Sequence, residues 1–149
     1  MNADPEIVPV AADHRDGWRR LFADYCAAGG IEALPSHLDR VWEWLALAEA
    51  QTCGLVALDE GGVVGLTHFR PFERPITGTT GLWIDDLYVD PAHRGRGLAR
   101  ALVERVLFIA RAEGHDVVRW TTKRTNASAR RLYDQVAVEA PVVVYNATP

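Results

Sequence analysis

The stretch from residue 83 to residue 99, WIDDLYVDPAHRGRGLA, brings together two kinds of group that can do chemistry. Asp85 and Asp86 are adjacent carboxylates in an otherwise apolar run, and a carboxylate can accept a proton. Gly95 and Gly97 immediately precede a helix-like run. A helix N-terminus offers unpaired N–H groups and about half a positive charge, and glycines let an anion approach them closely. The stretch therefore predicts a phosphate site.

The two arginines of this loop admit two interpretations. Arg94 and Arg96 could add charge-assisted contacts to a bound phosphate. A glycine-softened loop with solvated arginines is the alternative, and it is the commoner case for a bare Gly-x-Gly. Two other phosphate loops are excluded, because the stretch has no Gly-Lys-Ser/Thr and Arg100 occupies the third small position of a dinucleotide fingerprint.

A second group of polar residues lies near the C-terminus. Asn126 and Tyr133 are seven residues apart, which is two helical turns, so both face the same way. Asn126 also suits a helix N-cap, and Tyr133 also suits a core position beside Leu132 and Val136. The spacing alone leaves both alternatives open.

Histidines and cysteines give little sign of a metal or redox site. The five histidines are scattered without ligand spacing, so no metal is expected. Cys26 and Cys53 form no CxxC pair and are expected to be buried, reduced thiols without chemistry.

Length and composition limit the class of protein. The chain has 149 residues, 48% of them hydrophobic and 24% charged, which suits one globular domain over residues 1–149. A net charge of -4 argues against a general nucleic-acid binder. The N-terminus does not resemble a signal peptide and no run reaches membrane-span length, so we expect no membrane partner and a cytoplasmic location.

Hydrophobic spacing and turn residues predict ten elements in the order β, α, α, a three-strand meander, α, β, α, β. The N-terminal part is predicted to form an edge strand over 6–10, a helix that bears Trp18, Leu21, Phe22 and Tyr25 and ends at Gly29, and a helix that bears Leu38, Val41, Trp42 and Leu45 with Ser36 as N-cap. The meander is predicted to consist of two strands within 52–69 joined by a turn at 59–62, a loop over 71–81 and a strand over 82–89. A helix over 98–113 that is ended by Gly114, a strand over 116–122, a helix over 126–136 and a strand over 142–146 are predicted to follow.

Strict alternation along the strand over 82–89 assigns its side chains to two faces. One face is predicted to carry Trp83, Asp85, Leu87 and Val89, and the other Asp86 and Tyr88.

In these motifs the chain resembles the GNAT superfamily of acetyl-CoA-dependent N-acetyltransferases. The family motif Gln/Arg-x-x-Gly-x-Gly/Ala is met by Arg94, Gly95, Arg96, Gly97, Leu98 and Ala99. The strand ending IDDLYVDPAH before the loop and the later N-x-x-A-x-x-L-Y are also similar, so the resemblance extends over about residues 5–146. It implies a single α/β domain with a mixed, strongly twisted sheet flanked by helices.

The resemblance also implies acetyl-CoA as cosubstrate. The amides from Gly95 to Ala99 would bind its pyrophosphate, and Asn126 would contact its pantetheine arm. The main chain of the preceding strand would hydrogen-bond that arm like an added strand, through Leu87, Tyr88 and Val89. In this family the strand over 82–89 splays from the strand over 116–121, usually with a bulge.

By the same resemblance, Tyr133 is the general acid for the departing sulfur. Asp85 takes the position of a family carboxylate, either as a base acting through water or as a group that orients a cationic amine. Asp86 is expected to be structural, and an amide near Leu87 would hold the oxyanion. His68, beside the expected acceptor cleft, keeps a proton-relay or substrate role as an option.

The residues after Tyr133 identify a branch of the family. They read DQVA, as in the LYDxVA endings of yeast histone, polyamine and D-amino-acid acetyltransferases, without the common Lys-x-Gly-Phe. This branch implies direct attack on acetyl-CoA by a primary amine of a small molecule. A non-catalytic acyl-CoA sensor and a protein-lysine acetyltransferase are the alternatives, and a homodimer that exchanges its last strand stays open.

Overall fold

The computed structural model describes residues 4–149 and contains one mixed five-stranded sheet. Its strands are β1 (Glu6–Pro9), β2 (Cys53–Asp59), β3 (Gly62–Arg74), β4 (Thr79–Val89) and β5 (Val118–Arg119), in the spatial order β1-β2-β3-β4-β5. Its helices are α1 (Arg15–Ala28), α2 (Pro35–Ala46), α3 (Leu98–Glu113) and α4 (Ala127–Val136). Strands β1 to β4 are antiparallel and β5 runs parallel to β4, which confirms the predicted mixed sheet and fold class.

The sheet separates two apolar clusters, because each of its faces must be covered. On one face α1 and α2 bury Trp18, Leu21, Phe22, Cys26, Leu38, Val41, Val56, Val63 and Leu66. On the other face α3 buries Leu55, Ala57, Val64, Phe69, Leu82, Ile84, Val89, Leu98, Leu102, Val106 and Ala110.

The helix predictions hold, with one correction at the start of α2. Helices α1, α3 and α4 occupy the predicted segments, and α3 ends at Gly114, whose φ of 79° suits glycine. Ser36 is not the N-cap of α2, because the helix begins at Pro35, two residues earlier than a Ser36 cap requires, with Leu34 in the cap position. Proline at the first helical position has its φ already set and needs no N–H there.

The two hairpins of the meander differ from each other. The β2–β3 turn is confirmed, with positive φ at Glu60 (49°) and Gly61 (80°), as a tight two-residue turn requires. The predicted loop over 71–81 is wrong, because β3 continues to Arg74 and pairs with β4 from Thr79 onward. Pro71 is tolerated because β2 pairs with β3 only as far as Phe69, so β3 is an edge on that side.

Strand β4 has a bulge at Asp85. Asp86 pairs with His68 of β3, whereas Ile84 pairs with the next residue of β3, so Asp85 is an extra residue in the ladder. As a result Ile84 and Leu87 both pack against the α3 side of the sheet. The predicted strict alternation, with Trp83, Asp85, Leu87 and Val89 on one face, is therefore wrong, because Ile84 and not Trp83 shares the face of Leu87 and Val89.

The sheet opens between its last two strands. β5 pairs with β4 only at Leu82↔Val118 and Trp83↔Arg119, so within the described chain the β5-side edge of β4 has no strand partner beyond Trp83. This confirms the expected splay, with a shorter β5 than predicted.

The predicted last strand over 142–146 is wrong. Val142, Val143, Val144 and Tyr145 lie outside any strand and are exposed. A strand needs a partner edge for its backbone hydrogen bonds, and this segment pairs with no strand among residues 4–149.

Two further observations concern the described residues. Cys26 is buried as expected but Cys53 is exposed, so the burial prediction is wrong for Cys53. Among residues 4–149 no helix is both long enough and apolar enough to cross a membrane.

Candidate functional site

The glycine loop leads directly into the N-terminus of α3. Gly95 and Gly97 have φ of 77° and 78°, which side chains disfavour, and Gly97 occupies the N-cap position. The Ala101 N–H donates to the Gly97 carbonyl at 3.0 Å, as the first helical bond, so the amides of Leu98 and Ala99 lie in the unsatisfied first turn. A Cβ on either glycine would meet nothing within 4 Å. The loop thus presents backbone donors to open space.

Both arginines of the loop have partners within the protein. Arg94 Nε donates to the Val89 carbonyl at 3.1 Å, and its guanidinium lies 5.3 Å from the centre of the Tyr88 ring. Arg96 Nη1 lies 2.7 Å from Asp59 Oδ2 in the β2–β3 turn. The hydrogen bond from Arg96 lowers the pKa of Asp59. The arginines therefore brace the loop against the sheet, while their contacts with phosphate stay a prediction.

The end of β4 lies beside this loop. Leu87, Tyr88 and Val89 belong to the part of β4 that β5 does not cover. The Leu87 and Val89 side chains pack on the α3 side of the sheet, whereas the Tyr88 ring lies 5.4 Å from Tyr25 of α1. An uncovered strand edge can accept an extended chain through its peptide groups.

Helix α4 supplies the predicted asparagine and tyrosine. Asn126 is the N-cap, accepting from the Ala129 N–H at 3.3 Å, and its Nδ2 donates to Thr122 Oγ1 at 3.4 Å. The half-buried Tyr133 ring meets Trp120 edge-on with centroids 5.3 Å apart. Burial raises the pKa of Tyr133, so its hydroxyl keeps its proton at neutral pH.

The two adjacent carboxylates of β4 have different neighbours. Asp85 is exposed, and its Oδ2 accepts from Arg70 Nε at 3.0 Å. Asp86 Oδ2 lies 2.8 Å from Nδ1 of His68, a residue only 2% exposed. Sequence reasoning expected a structural role for Asp86 and kept His68 as an option. Their pairing follows from the bulge, which no alternation pattern reveals.

Helix α1 brings further groups to Asp86. Burial, followed by the charge of Asp86, raises the pKa values of both Tyr25 and Cys26. Tyr133 also contributes to the raised pKa of Tyr25. Groups from α1, β3, β4 and α4 therefore meet at one place beside the open edge of β4.

No metal site accompanies these groups in the part of the chain that the structure describes. Within residues 4–149 there is no group of three or more His, Cys, Asp and Glu side chains arranged to hold an ion.

Known proteins similar to this chain are acetyltransferases. Residues 16–137 match the model of the acetyltransferase (GNAT) family. Human N-acetyltransferase 8B is 38% identical over 90 residues, which cover 60% of this chain and 40% of that protein. D-amino-acid N-acetyltransferase HPA3 of Saccharomyces cerevisiae is 26% identical over 154 residues, covering 97% of this chain and 96% of that protein. The match thus spans less than half of human N-acetyltransferase 8B but nearly all of the yeast enzyme.

Solved structures share the fold. A ribosomal-protein-alanine N-acetyltransferase from Brucella melitensis has a TM-score of 0.81 at 24% identity, with 98% of this chain and 99% of that chain covered. AAC(6')-Iy, solved with a bisubstrate analog, has a TM-score of 0.79 at 17% identity, with 99% of each chain covered. Since the family model matches residues 16–137 of the 149, the chain belongs to the acetyltransferase (GNAT) family.

Proposed function

We propose that this protein transfers an acetyl group from acetyl-CoA to a primary amine of a small molecule. The observation that carries the proposal is the open edge of β4 beyond Trp83, which runs directly into the Gly95–Gly97 loop and the N-terminus of α3. A strand edge that continues into an anion site suits a ligand with an amide-containing arm and a pyrophosphate. Acetyl-CoA has both.

The residues present fit this cosubstrate. The amides from Gly95 to Ala99 would bind the pyrophosphate, and the main chain of Leu87, Tyr88 and Val89 would bind the pantetheine arm. Asn126 at the start of α4 would contact the same arm. Acetyl-CoA supplies the activated thioester, and the protein supplies position, charge and proton transfer.

In the reaction, the amine nitrogen attacks the thioester carbonyl carbon. The C–N bond forms and the C–S bond breaks, with its electron pair on sulfur. Tyr133 would give that sulfur a proton, since its raised pKa keeps the hydroxyl protonated. A carboxylate of β4 would take a proton from the amine. The assignment of that role to Asp85 stays a prediction, and its pairing with Arg70 weakens it.

A small amine as acceptor is supported by the relative of matching length. The chain aligns with nearly the whole of the yeast protein named D-amino-acid N-acetyltransferase, whereas the human relative is matched over less than half its length. We extend the acceptor class to this chain on that basis, together with the Asp86 carboxylate, which among residues 4–149 contacts His68 and no arginine.

Location and assembly are further parts of the proposal. Both cysteines are free, as suits a reducing compartment such as the cytoplasm. The exposed apolar segment over 142–145 supports a homodimer in which it pairs with a second copy.

The test is a thiol-release assay with acetyl-CoA against small amines, basic peptides and alcohols, with products identified by mass. We expect N-acetylation of small amines. Acetylation of peptides alone would favour a protein-lysine acetyltransferase. Binding of coenzyme A by calorimetry without turnover on any acceptor would favour an acyl-CoA sensor.

A further inference from the structure

A buried series of hydrogen bonds connects helix α1 to strand β4. The Trp18 indole N–H donates to Nε2 of His68 at 2.9 Å, and Nδ1 of His68 lies 2.8 Å from Asp86 Oδ2. Trp18 is 0% exposed and His68 is 2% exposed, whereas the Asp86 side chain is 25% exposed. Only the carboxylate at the end of the series reaches solvent.

The donors and acceptors define where the protons lie. An indole N–H can only donate, so Nε2 of His68 must offer its lone pair. The proton of the neutral ring is then on Nδ1 and points at Asp86. A second proton on His68 would set its Nε2–H against the Trp18 N–H. Trp18 therefore selects one neutral tautomer, and that tautomer donates to Asp86.

The surrounding packing holds this arrangement in place. The His68 ring meets Phe22 edge-on at 5.0 Å between centroids and lies 5.9 Å from the Trp18 ring. Thr67 Oγ1 donates to the main-chain carbonyl of Asp86 at 2.8 Å. Both the backbone and the side chain of Asp86 are thus fixed by neighbours on β3.

The electrostatic surroundings of Asp86 differ from those of Asp85. Arg70 forms an ion pair with Asp85, whereas among the ion-pair contacts of residues 4–149 Asp86 meets only His68, whose Nε2 accepts from the Trp18 indole. The other titratable groups that face Asp86 are Tyr25 and Cys26 from α1. Tyr133 from α4 contributes to the raised pKa of Tyr25. None of these three side chains is a lysine or an arginine, and within residues 4–149 no lysine or arginine forms an ion pair with Asp86.

We propose that Asp86, and not Asp85, receives the ammonium group of the acceptor and takes its proton, with His68 and Trp18 as positioning residues. The inference rests on the proposed function and names the groups that serve it. A cationic acceptor would place a positive charge beside Asp86, where the described residues place no lysine or arginine. Neutral hydroxyl acceptors would gain nothing from this contact.

The proton balance of this step is complete. One ammonium N–H bond breaks toward Asp86, and the freed lone pair forms the C–N bond. The C–S bond breaks and the sulfur takes the proton of the Tyr133 hydroxyl. The acceptor nitrogen, positively charged after its attack on the carbonyl carbon, loses a further proton, which returns to Tyr133 through solvent. The net products are an acetamide, coenzyme A thiol and one proton released from Asp86.

The first test compares two substitutions with spermidine and D-lysine as acceptors. Asp86→Asn is expected to lower kcat/KM by about 10²- to 10⁴-fold, the range of general base effects. It is also expected to abolish the fall of kcat/KM at acidic pH, which is the acidic limb of the pH profile. Asp85→Asn is expected to keep that limb. Asp16→Asn, at an exposed position on α1, controls for the loss of one negative charge. A large loss in Asp85→Asn with little in Asp86→Asn would overturn the inference and leave the proposed function standing.

The second test needs no turnover. Nitrogen-15 NMR of labelled histidine, with His68 assigned from His68→Asn, is expected to show the Nδ1-protonated tautomer that the two hydrogen bonds require. In Trp18→Phe, which keeps a ring but removes the N–H, His68 should take up a second proton as the pH falls. An Nε2-protonated ring in the wild type would refute the arrangement.

The positioning role has its own readout in activity. The acidic limb of kcat/KM should move toward neutral pH in Trp18→Phe, and His68→Asn, which keeps a donor for Asp86, should retain at least 10-fold more activity than His68→Leu. Unchanged pH profiles in folded Trp18→Phe and His68→Leu would assign both residues to packing alone. If coenzyme A binds but neither amine is acetylated, the acceptor class fails together with the amine role of Asp86.

Discussion

At the scale of single residues, the chemistry of a side chain here depends on what its neighbour donates. Asp85 and Asp86 are adjacent and chemically identical, yet a guanidinium contacts one and an imidazole contacts the other. The Arg70 guanidinium forms an ion pair with the Asp85 carboxylate. The His68 imidazole orients the Asp86 carboxylate through one hydrogen bond. Tyr133 is a comparable case, because burial raises the pKa of its hydroxyl.

Replacement of Tyr133 by Phe tests the acid role at this scale. Tyr133→Phe keeps the edge-on contact with Trp120 and removes only the hydroxyl. We expect kcat to fall by roughly 10- to 10⁴-fold with the affinity for coenzyme A little changed, because the hydroxyl would act on the departing sulfur. Steady-state kinetics and calorimetry measure the two quantities.

The matched control is Tyr145→Phe, because Tyr145 is 88% exposed. Absorbance of tyrosinate supplies a second check: the wild type minus Tyr133→Phe difference should develop only above the ordinary tyrosine pKa of about 10. Unaltered turnover at saturating amine would return Tyr133 to a packing role.

At the scale of elements, the candidate site exists because three departures from regular structure coincide. Asp85 bulges out of β4, β5 leaves β4 after Trp83, and two positive-φ glycines end the loop before α3. The bulge directs Asp86 toward α1, the splay uncovers a strand edge, and the glycines expose the amides of a helix N-terminus. None of the three features alone would make a site.

Substitution of Gly97 tests the loop as an anion site. Gly97→Val would place a side chain beside the amides that are proposed to bind the pyrophosphate, in space where nothing of the protein lies within 4 Å. We expect the affinity for coenzyme A, measured by calorimetry, to fall at least about 10-fold. Valine at Gly78 provides the control for backbone strain, since its φ of 66° and open surroundings are similar but it lies in the β3–β4 turn. Equal affinities for coenzyme A in the two variants would contradict the site.

The Pro91–His93 turn, which precedes the glycine loop, is expected to make the stability of the protein depend on pH. Asp90 caps the Pro91–His93 3₁₀ turn, and its hydrogen bond from the Ala92 N–H, with help from Arg20, lowers the pKa of Asp90. A carboxyl with a lowered pKa stabilises the fold above its unfolded value of about 4, and this contribution is lost as the pH falls through the folded value.

Asp90→Ala should therefore lower the free energy of unfolding by about 1 kcal/mol at pH 7 and by much less near pH 3. Denaturant unfolding at both values measures the change, with exposed Glu32→Ala as control. A difference that persists undiminished at pH 3 would show that Asp90 acts by packing and not by charge.

At the scale of the whole molecule, the C-terminal segment exposes four consecutive large apolar or aromatic side chains. Val142, Val143, Val144 and Tyr145 are between 64% and 88% exposed, and no strand in the described part of the chain pairs with them. A short β-prone apolar segment of this kind gains most from pairing with another sheet edge.

We predict a homodimer that depends on this segment. Val143→Asp should shift the mass from dimer to monomer in light scattering at micromolar concentration, because it puts a charge into the paired segment. Phe108→Asp, also at an exposed apolar position but on α3, should leave the mass unchanged. A monomeric wild type would contradict the prediction.

The sequence by itself determined the helices, the β2–β3 hairpin and the glycine loop before α3, because local rules govern them. Helix spacing, a glycine-containing two-residue turn and glycines before an amphipathic run each depend on residues a few positions apart. The candidate residues from Arg94 to Ala99, Asn126 and Tyr133 could be named in this way, with the family motif as a second guide, and the structure places them on the predicted elements.

Only the tertiary structure decided which carboxylate of β4 contacts His68 and which contacts Arg70. The bulge at Asp85 is a mismatch between two strands, so it cannot be seen in either strand alone. The bond from Trp18 to His68 joins residues 50 positions apart, and the one from His68 to Asp86 joins residues 18 positions apart. Whether the segment over 142–146 forms a strand likewise depends on whether a partner strand edge exists. Pairing between distant segments is a property of the folded chain, and for this reason local pattern did not reveal it.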